Sequence, residues 1–75
     1  MKSVDIKLSS IADVRNFVDT VSKYDIDIDL SSGRYIVDAK SIMGIFSLDL
    51  AKPIKLTAHS DNTDELFSEI KQYMI

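Results

Sequence analysis

The sequence predicts a two-layer α+β domain, in which helices cover one face of a four-stranded antiparallel sheet. Four short stretches alternate apolar and polar residues, and this period of two is typical of strands with one wet face. Between them, apolar residues recur every three or four positions, as on one side of an amphipathic helix. The resulting order is β-α-β-β-α-β-α, and three helices on one face of the sheet would bury every apolar stripe. A chain of 75 residues is expected to form a single domain, residues 1–75.

The first strand and the first helix are indicated by neighbouring segments with different periods. Val4, Ile6 and Leu8 alternate with charged residues, which predicts a strand. Ser10 follows as a helix N-cap, and Asp13 three residues later suggests a capping box with Asp in place of Glu. The apolar face of the helix is then formed by Ile11, Val14, Phe17, Val18 and Val21.

A hairpin is predicted in the middle of the chain. Ile26, Ile28 and Leu30 alternate with a row of aspartates, so one face of this strand is expected to be buried and the other exposed. We interpret the aspartates as a solvated face, because the glycine turn and closing glutamate of a calcium loop are absent. Residues 31–34 contain a glycine that can take a positive φ and are predicted to form the turn, after which residues 35–37 return as the second strand.

The last third of the chain repeats a strand and a helix. Pro53 cannot donate to a sheet ladder and precedes an alternating stretch at residues 54–58, which predicts a strand. Acidic and capping residues at 61–65 suit a helix N-terminus. The apolar face of that helix is Leu66, Phe67, Ile70 and Tyr73 or Met74. The predicted core of the whole domain comprises Val4, Ile6, Val14, Phe17, Val21, Ile26, Ile28, Leu30, Leu56, Leu66 and Ile70.

The composition excludes several classes of function. The net charge is −3 and no Lys/Arg cluster is present, so no nucleic-acid partner is expected. The chain has no cysteine, which excludes disulfides and thiolate zinc sites. No apolar run approaches the roughly 20 residues of a transmembrane helix, so we expect a cytoplasmic protein with no membrane partner. Phosphate loops, catalytic carboxylate pairs and metal-ligand spacings are absent, so no enzyme activity, cofactor or metal is expected.

The most distinctive segment is residues 40–48, Lys-Ser-Ile-Met-Gly-Ile-Phe-Ser-Leu. Ser41 stands where a short helix would take its N-cap. The apolar residues that follow are more than one face of such a helix can bury, and Ile42, Met43 and Phe46 are expected to be exposed. An exposed apolar patch beside a modifiable hydroxyl indicates a protein-binding site.

This segment resembles the regulatory-serine segment of the HPr family, the small phosphocarriers of the bacterial sugar phosphotransferase system. The resemblance extends upstream to residues 22–25 and the hairpin, and downstream to residues 51–52, so it covers most of the chain. It implies an HPr-like open-faced β-sandwich with the strand order 1-4-2-3.

The phosphocarrier histidine of that family has no counterpart at the matching position. The family signature Gly-x-His-Ala-Arg-Pro precedes the first helix, and counting back without gaps from Ser41 places its histidine on Ser10. Ala12 and Asp13 stand where arginine and proline are usual, and an aspartate there would repel phosphate. We interpret Ser10 as a helix cap, because a phosphoserine ester is not the labile phosphoramidate that a relay needs. His59, the only histidine, lies far along the chain and is interpreted as structural or merely exposed.

The resemblance implies a regulatory interaction protein controlled by phosphorylation at Ser41. In the family, a dedicated kinase modifies this serine, and the product binds a transcription regulator of carbon catabolite control. The expected partners are therefore the HPr serine kinase, a transcription regulator or phosphotransferase components. The partner-binding residues carried over from the family are Lys40, Ile42, Met43 and Phe46, the last at a position where methionine is usual. Catabolite-repression variants of HPr likewise lack the histidine and keep the serine.

Two alternative functions remain beside the regulatory hypothesis. The chain would be a phosphocarrier for sugar transport that uses a non-standard residue, or a binding module that has lost both phosphorylations. The absence of the histidine motif argues against the phosphocarrier. Acid-labile phosphate, formed with phosphoenolpyruvate and the general phosphotransferase enzyme, would distinguish the phosphocarrier from the regulatory protein.

Overall fold

The computed structural model describes residues 1–75 and contains the predicted sequence of strands and helices. The strands are β1 (Lys2–Ile6), β2 (Ile28–Ser32), β3 (Tyr35–Asp38) and β4 (Ile54–Ala58). The helices are α1 (Ile11–Val21), α2 (Ile42–Phe46) and α3 (Asp64–Glu69), followed by a 3-10 turn at Lys71–Tyr73. The predicted order β-α-β-β-α-β-α is therefore confirmed.

The four strands form one antiparallel sheet in the order β1-β4-β2-β3, as the resemblance implied. β4 lies between two strands that are far apart in sequence. Its Leu56 pairs with Val4 of β1 on one side and with Leu30 of β2 on the other. Because side chains alternate between the faces of a strand, these three form an apolar row on the inner face of the sheet.

The hydrophobic core fills the space between this inner face and the helices. Phe17 of α1, Ile45 of α2 and Leu66 of α3 are almost completely buried. The Phe17 ring meets the ring of Tyr73 edge to face, with centroids 5.7 Å apart and planes at 82°. Burial is confirmed for most of the predicted core, namely Ile6, Val14, Phe17, Val21, Ile28, Leu30, Leu56, Leu66 and Ile70.

Four predictions about the strands and the buried residues are corrected by the structure. β2 runs from Ile28 to Ser32, two residues later than the alternation suggested, because its ladder with β4 begins at the pair Ile28–Ala58. Ile26 consequently precedes the strand and is only half-buried. Val4 is also half-buried, and both side chains pack against the core. Ile11 is 68% exposed, because it lies in the first turn of α1, outside the part of the helix that the core covers.

The last helix ends earlier than its apolar period suggested. α3 stops at Glu69, and the tighter 3-10 turn that follows carries the chain to the edge of β1. There Lys7 N donates to Tyr73 O at 2.8 Å, and Ile75 N donates to Asp5 O at 3.1 Å. Residues 71–75, which we call the C-terminal segment, cover one end of the β1 edge. None of the helices is long and apolar enough to cross a bilayer.

Candidate functional site

Ser41 lies at the start of α2 and is exposed. Its backbone is extended, with φ −102° and ψ 104°, and its Oγ accepts a hydrogen bond from Gly44 N at 3.2 Å. The chain reaches this position through a turn in which Lys40 N donates to a carboxylate oxygen of Asp38 at 2.8 Å. Ser41 N also donates to Asp38 O at 3.0 Å. The structure therefore confirms the predicted N-cap and leaves the side chain of Ser41 accessible.

The five residues of α2 divide between the core and the surface. Ile45 is fully buried, whereas Met43 is 77% exposed and Phe46 is 42% exposed. The expected exposure of Met43 and Phe46 is thus confirmed. Ile42 departs from that expectation, since it is half-buried and packs against the core. The reason is helical geometry, because residues three apart share a face and Ile42 therefore lies on the side of Ile45.

Gly44 allows α2 to lie close to β3. A Cβ added to Gly44 would stand 3.1 Å from Cβ of Val37, a neighbour in β3, and 3.2 Å from Oγ of Ser41. These separations are shorter than ordinary van der Waals contacts. The glycine therefore sets both the depth at which α2 packs and the position of the Ser41 cap.

Lys40, the remaining predicted partner-binding residue, is already engaged within the molecule. Its Nζ donates to the backbone oxygen of Tyr24 at 2.7 Å, and this contact is partly buried. The bond links the start of α2 to the segment that follows α1. The structure therefore leaves Met43 and Phe46 as the more available side chains of the predicted set.

An apolar groove beside α2 was not identified from the sequence. It has a volume of about 410 Å³ and lies between the beginning of α1 and the end of α2. We call it the α1–α2 groove, and its apolar lining is Leu8, Ile11, Phe46, Leu50 and Ala51. The one sequence signal was Ile11 itself, because an apolar residue directly after an N-cap stands where acidic residues are favoured.

Ser10 lies at the rim of this groove and caps α1. Its Oγ accepts from Asp13 N at 3.1 Å, which confirms the predicted cap. The Asp13 carboxylate accepts in turn from Ser9 N at 3.1 Å, so the reciprocal bond of the capping box reaches one residue further back than usual. A carboxylate is therefore fixed beside the Ser10 hydroxyl, and its negative charge disfavours a phosphate there.

His59, directly after β4, forms a side-chain hydrogen bond with Asp29 of β2. Its Nε2 lies 2.8 Å from a carboxylate oxygen of Asp29, and the two side chains are 39% and 44% exposed. The pair borders an open cavity of about 430 Å³ whose charged lining also includes Asp27, Asp38 and Lys40. The half-exposed position fits the interpretation of His59. Its pairing with Asp29 was not predicted, because the two residues meet only when β2 and β4 are aligned.

The similarity to known proteins covers nearly all of the chain. The profile of the protein family described as PTS HPr component phosphorylation site matches residues 13–75. This match includes Ser41 and begins after Ser10.

Solved structures of similar fold come from several bacteria. HPr-C-His from Thermoanaerobacter tengcongensis superposes with a TM-score of 0.81 and 32% identity, over 96% of this chain and 89% of that chain. The phosphocarrier protein HPr of Bacillus anthracis str. Ames superposes with a TM-score of 0.70 and 28% identity, over 99% of this chain and 94% of that chain. The catabolite repression containing protein Crh of Bacillus subtilis superposes with a TM-score of 0.69 and 24% identity, over 91% of this chain and 80% of that chain. At this identity the likeness supports the fold alone.

Proposed function

Since the chain belongs to the HPr family, we propose that it is a regulatory interaction protein of the sugar phosphotransferase system, controlled by phosphorylation at Ser41. The observation that carries the proposal is the placement of an exposed capping serine beside the exposed side chains of Met43 and Phe46. A phosphate at Ser41 would add negative charge next to these two apolar side chains. The partners would be the HPr serine kinase and a cytoplasmic transcription regulator or component of the phosphotransferase system.

The chemistry assigned to this chain is that of a phosphoryl acceptor. In the proposed step, Oγ of Ser41 attacks the γ-phosphorus of ATP, an Oγ–P bond forms, and the bond between the γ-phosphorus and its bridging oxygen breaks to release ADP. The hydroxyl proton passes to a base of the kinase. We therefore assign no catalytic residue to this chain.

The new phosphate would add a charge of about −1.5 to −2 at neutral pH. The first backbone N–H groups of a helix have no partner within the helix, so they favour an anion at the N-cap. Gly44 N already donates to Oγ of Ser41 and is placed to meet a phosphate oxygen. We expect the fold to persist, while the neighbouring Met43 becomes the apolar part of a surface that now attracts basic groups of a partner.

The surroundings of the other candidate acceptors favour regulation over phosphate transfer. Ser10 has the Asp13 carboxylate beside it, and a serine ester would not act as a labile relay. His59 is accessible but is paired with Asp29, and Asp27 and Asp38 line the same cavity. Negative charges around an imidazole oppose the arrival of a phosphoryl group.

Incubation with an HPr serine kinase and ATP, followed by mapping of the modified residue by mass spectrometry, tests the proposal. We expect phosphate on Ser41 and none on Ser47, which follows the last turn of α2 and whose hydroxyl donates to Gly44 O. The variant Ser41→Ala is the matched control and should remain unmodified. If Ser47 were modified, or if no residue were, Ser41 would be only a helix cap and the chain a binding module.

A parallel reaction tests the phosphocarrier alternative. The protein is incubated with phosphoenolpyruvate and the general phosphotransferase enzyme, and acid-labile phosphate is measured. We expect none. Acid-labile phosphate that disappears in the variant His59→Gln would favour the phosphocarrier over the regulatory protein.

A further inference from the structure

The two edges of the sheet differ in how they are protected. The edge of β1 is partly covered by the C-terminal segment, where Ile6 and Met74 form a bridge. The edge of β3 has no neighbouring strand. Proteins usually protect such edges with charged side chains, Pro or bulges, because an open edge can pair with another strand. β3 has one charged residue, Asp38 at its end, and carries two exposed apolar side chains, Tyr35 at 67% and Ile36 at 70%.

The register of the hairpin shows which backbone groups of β3 face outward. Ala39 N donates to Ile28 O at 2.9 Å, so residues 28 and 39 form a hydrogen-bonded pair. Hydrogen-bonded pairs alternate with non-hydrogen-bonded pairs along an antiparallel ladder. The next hydrogen-bonded pairs toward the turn are therefore residues 30 and 37 and residues 32 and 35. Ile36, which lies between them, consequently directs its N–H and C=O away from β2.

Ile36 is flanked by one positive and one negative side chain, which would face their opposites in an antiparallel pair of copies. Arg34 precedes β3 in the turn, and Asp38 is the last residue of the strand. If two copies of β3 paired antiparallel about Ile36, Arg34 of each copy would lie opposite Asp38 of the other. The pairing would therefore contain two such charge pairs. A parallel copy in the same register would bring like charges together. Arg34 takes part in none of the ion pairs of the molecule, so it is available for this contact.

A cation near Asp38 would also remove a local conflict. Asp38 stands directly opposite Asp29 in the ladder between β2 and β3. Like charges at directly opposite positions destabilise a sheet. The His59 side chain bonds to the carboxylate of Asp29, whereas the Asp38 carboxylate accepts a backbone hydrogen bond from Lys40 but has no cationic partner.

We propose that β3 pairs with β3 of a second copy of this chain, antiparallel and centred on Ile36, to form a continuous eight-stranded sheet. The side chain of Ile36 would contact Ile36 of the second copy on the outer face, and Tyr35 would lie opposite Val37 of the second copy on the inner face. A strand of four residues buries little area, so this dimer is weak and concentration-dependent. The ion pairs are exposed, so added salt weakens it.

Sedimentation velocity between about 10 µM and about 1 mM protein would detect such a dimer. We expect the mean mass of the wild-type chain to rise toward that of two copies. Arg34→Asp replaces both attractions by repulsions and should weaken association by about tenfold or more. Asp38→Arg should do the same, whereas an equimolar mixture of the two variants should associate again, because each then offers the charge that the other lacks.

A second pair of variants distinguishes the β3 edge from other apolar surfaces. Ile36→Lys should abolish association, and Ile11→Lys should leave it unchanged, although the two isoleucines are similarly exposed, at 70% and 68%. Circular dichroism verifies that each variant is folded. The proposal is overturned if the wild-type chain stays monomeric at the highest concentration, if folded Arg34→Asp associates as the wild type does, or if the mixture of folded variants fails to associate.

Discussion

Ser10 and Ser41 occupy equivalent positions in two helices, but their electrostatic surroundings differ. Each hydroxyl accepts from the backbone N–H three residues later, at 3.1 Å and 3.2 Å. The first turn of α1 contains the acidic residue Asp13, whereas the first turn of α2 contains none. A phosphate on Ser10 would therefore meet a carboxylate from the first turn of its own helix, whereas α2 contributes none to Ser41. The carboxylate that precedes Ser41 in the chain, that of Asp38, accepts a hydrogen bond from Lys40 N. This difference favours Ser41 over Ser10 as the residue that carries a regulatory phosphate.

The exposed side chains of α2 are expected to differ in their effect on stability. Met43→Ser should change the free energy of unfolding very little, because the side chain is 77% exposed. Phe46→Ser should cost about 1–2 kcal/mol, since more than half of the surface of this residue is covered and truncation of a fully buried Phe costs about 3–5 kcal/mol. Both should weaken partner binding. Urea denaturation and a binding titration measure the two effects, and equal losses of stability would contradict this division.

The pKa of Glu69 makes stability depend on pH. Lys23 donates to its carboxylate at 2.8 Å, and this hydrogen bond, assisted by the Tyr24 hydroxyl, holds the pKa of Glu69 below its ordinary value of 4.5. The contribution of this ion pair to the free energy of unfolding is present above the ordinary pKa of Glu69. It is lost as the pH falls through the lower pKa that Glu69 has in the folded state. Because both partners are substantially exposed, the effect is small.

Glu69→Gln should therefore be less stable than the wild-type chain at neutral pH and should approach it in acid. Lys23→Gln removes the same pair and should show the same convergence. Urea denaturation at pH values on both sides of the ordinary pKa measures the difference. Unfolding curves that remain separated by the same amount at all pH values would exclude this ion pair as the cause.

At the scale of secondary structure, elements were predictable where their signals are local. The cap of α1 depends on Ser10 and Asp13, which are three residues apart, and both the cap and the helix were found as predicted. The first residue of β2 could not be predicted from the local sequence, because the strand begins where Ala58 of β4 can pair with Ile28. The α1–α2 groove was missed for a similar reason, since Ile11 and Phe46 come together only in the tertiary structure.

Gly44 is expected to control how α2 packs on β3. Gly44→Ala improves helix propensity by about 1 kcal/mol, yet its new Cβ would stand 3.1 Å from Cβ of Val37. We expect this contact to outweigh the gain and to lower the melting temperature. Met43→Ala, in the same helix but exposed, is the control and should not. If Gly44→Ala were more stable than the wild-type chain, α2 would have room to move away from β3.

At the scale of the whole molecule, the last residues connect elements that the sheet alone does not join. Tyr73 is 6% exposed, and its ring packs on Phe17 of α1. Its backbone oxygen accepts from Lys7 N directly after β1. A chain of this size has a small core, so one such residue is a large part of its stability.

Tyr73→Ala is accordingly expected to lower the free energy of unfolding by about 3 kcal/mol, because it removes a buried aromatic ring. Ile75→Ala is the control from the same segment. That side chain is 73% exposed, and the substitution keeps the backbone bond to Asp5. Thermal unfolding followed by circular dichroism compares the two. A loss of less than about 1 kcal/mol for Tyr73→Ala would mean that α1 and the sheet hold together without the C-terminal segment.

The central position of β4 has a consequence for how the protein is made. The ribosome synthesises β1, β2 and β3 before the strand that lies between β1 and β2 exists. The hairpin of β2 and β3 can close during translation, but β1 must wait for residues 54–58, with which it pairs. The sheet is therefore completed only after β4 has left the exit tunnel, and until then the nascent chain exposes apolar strand faces to chaperones.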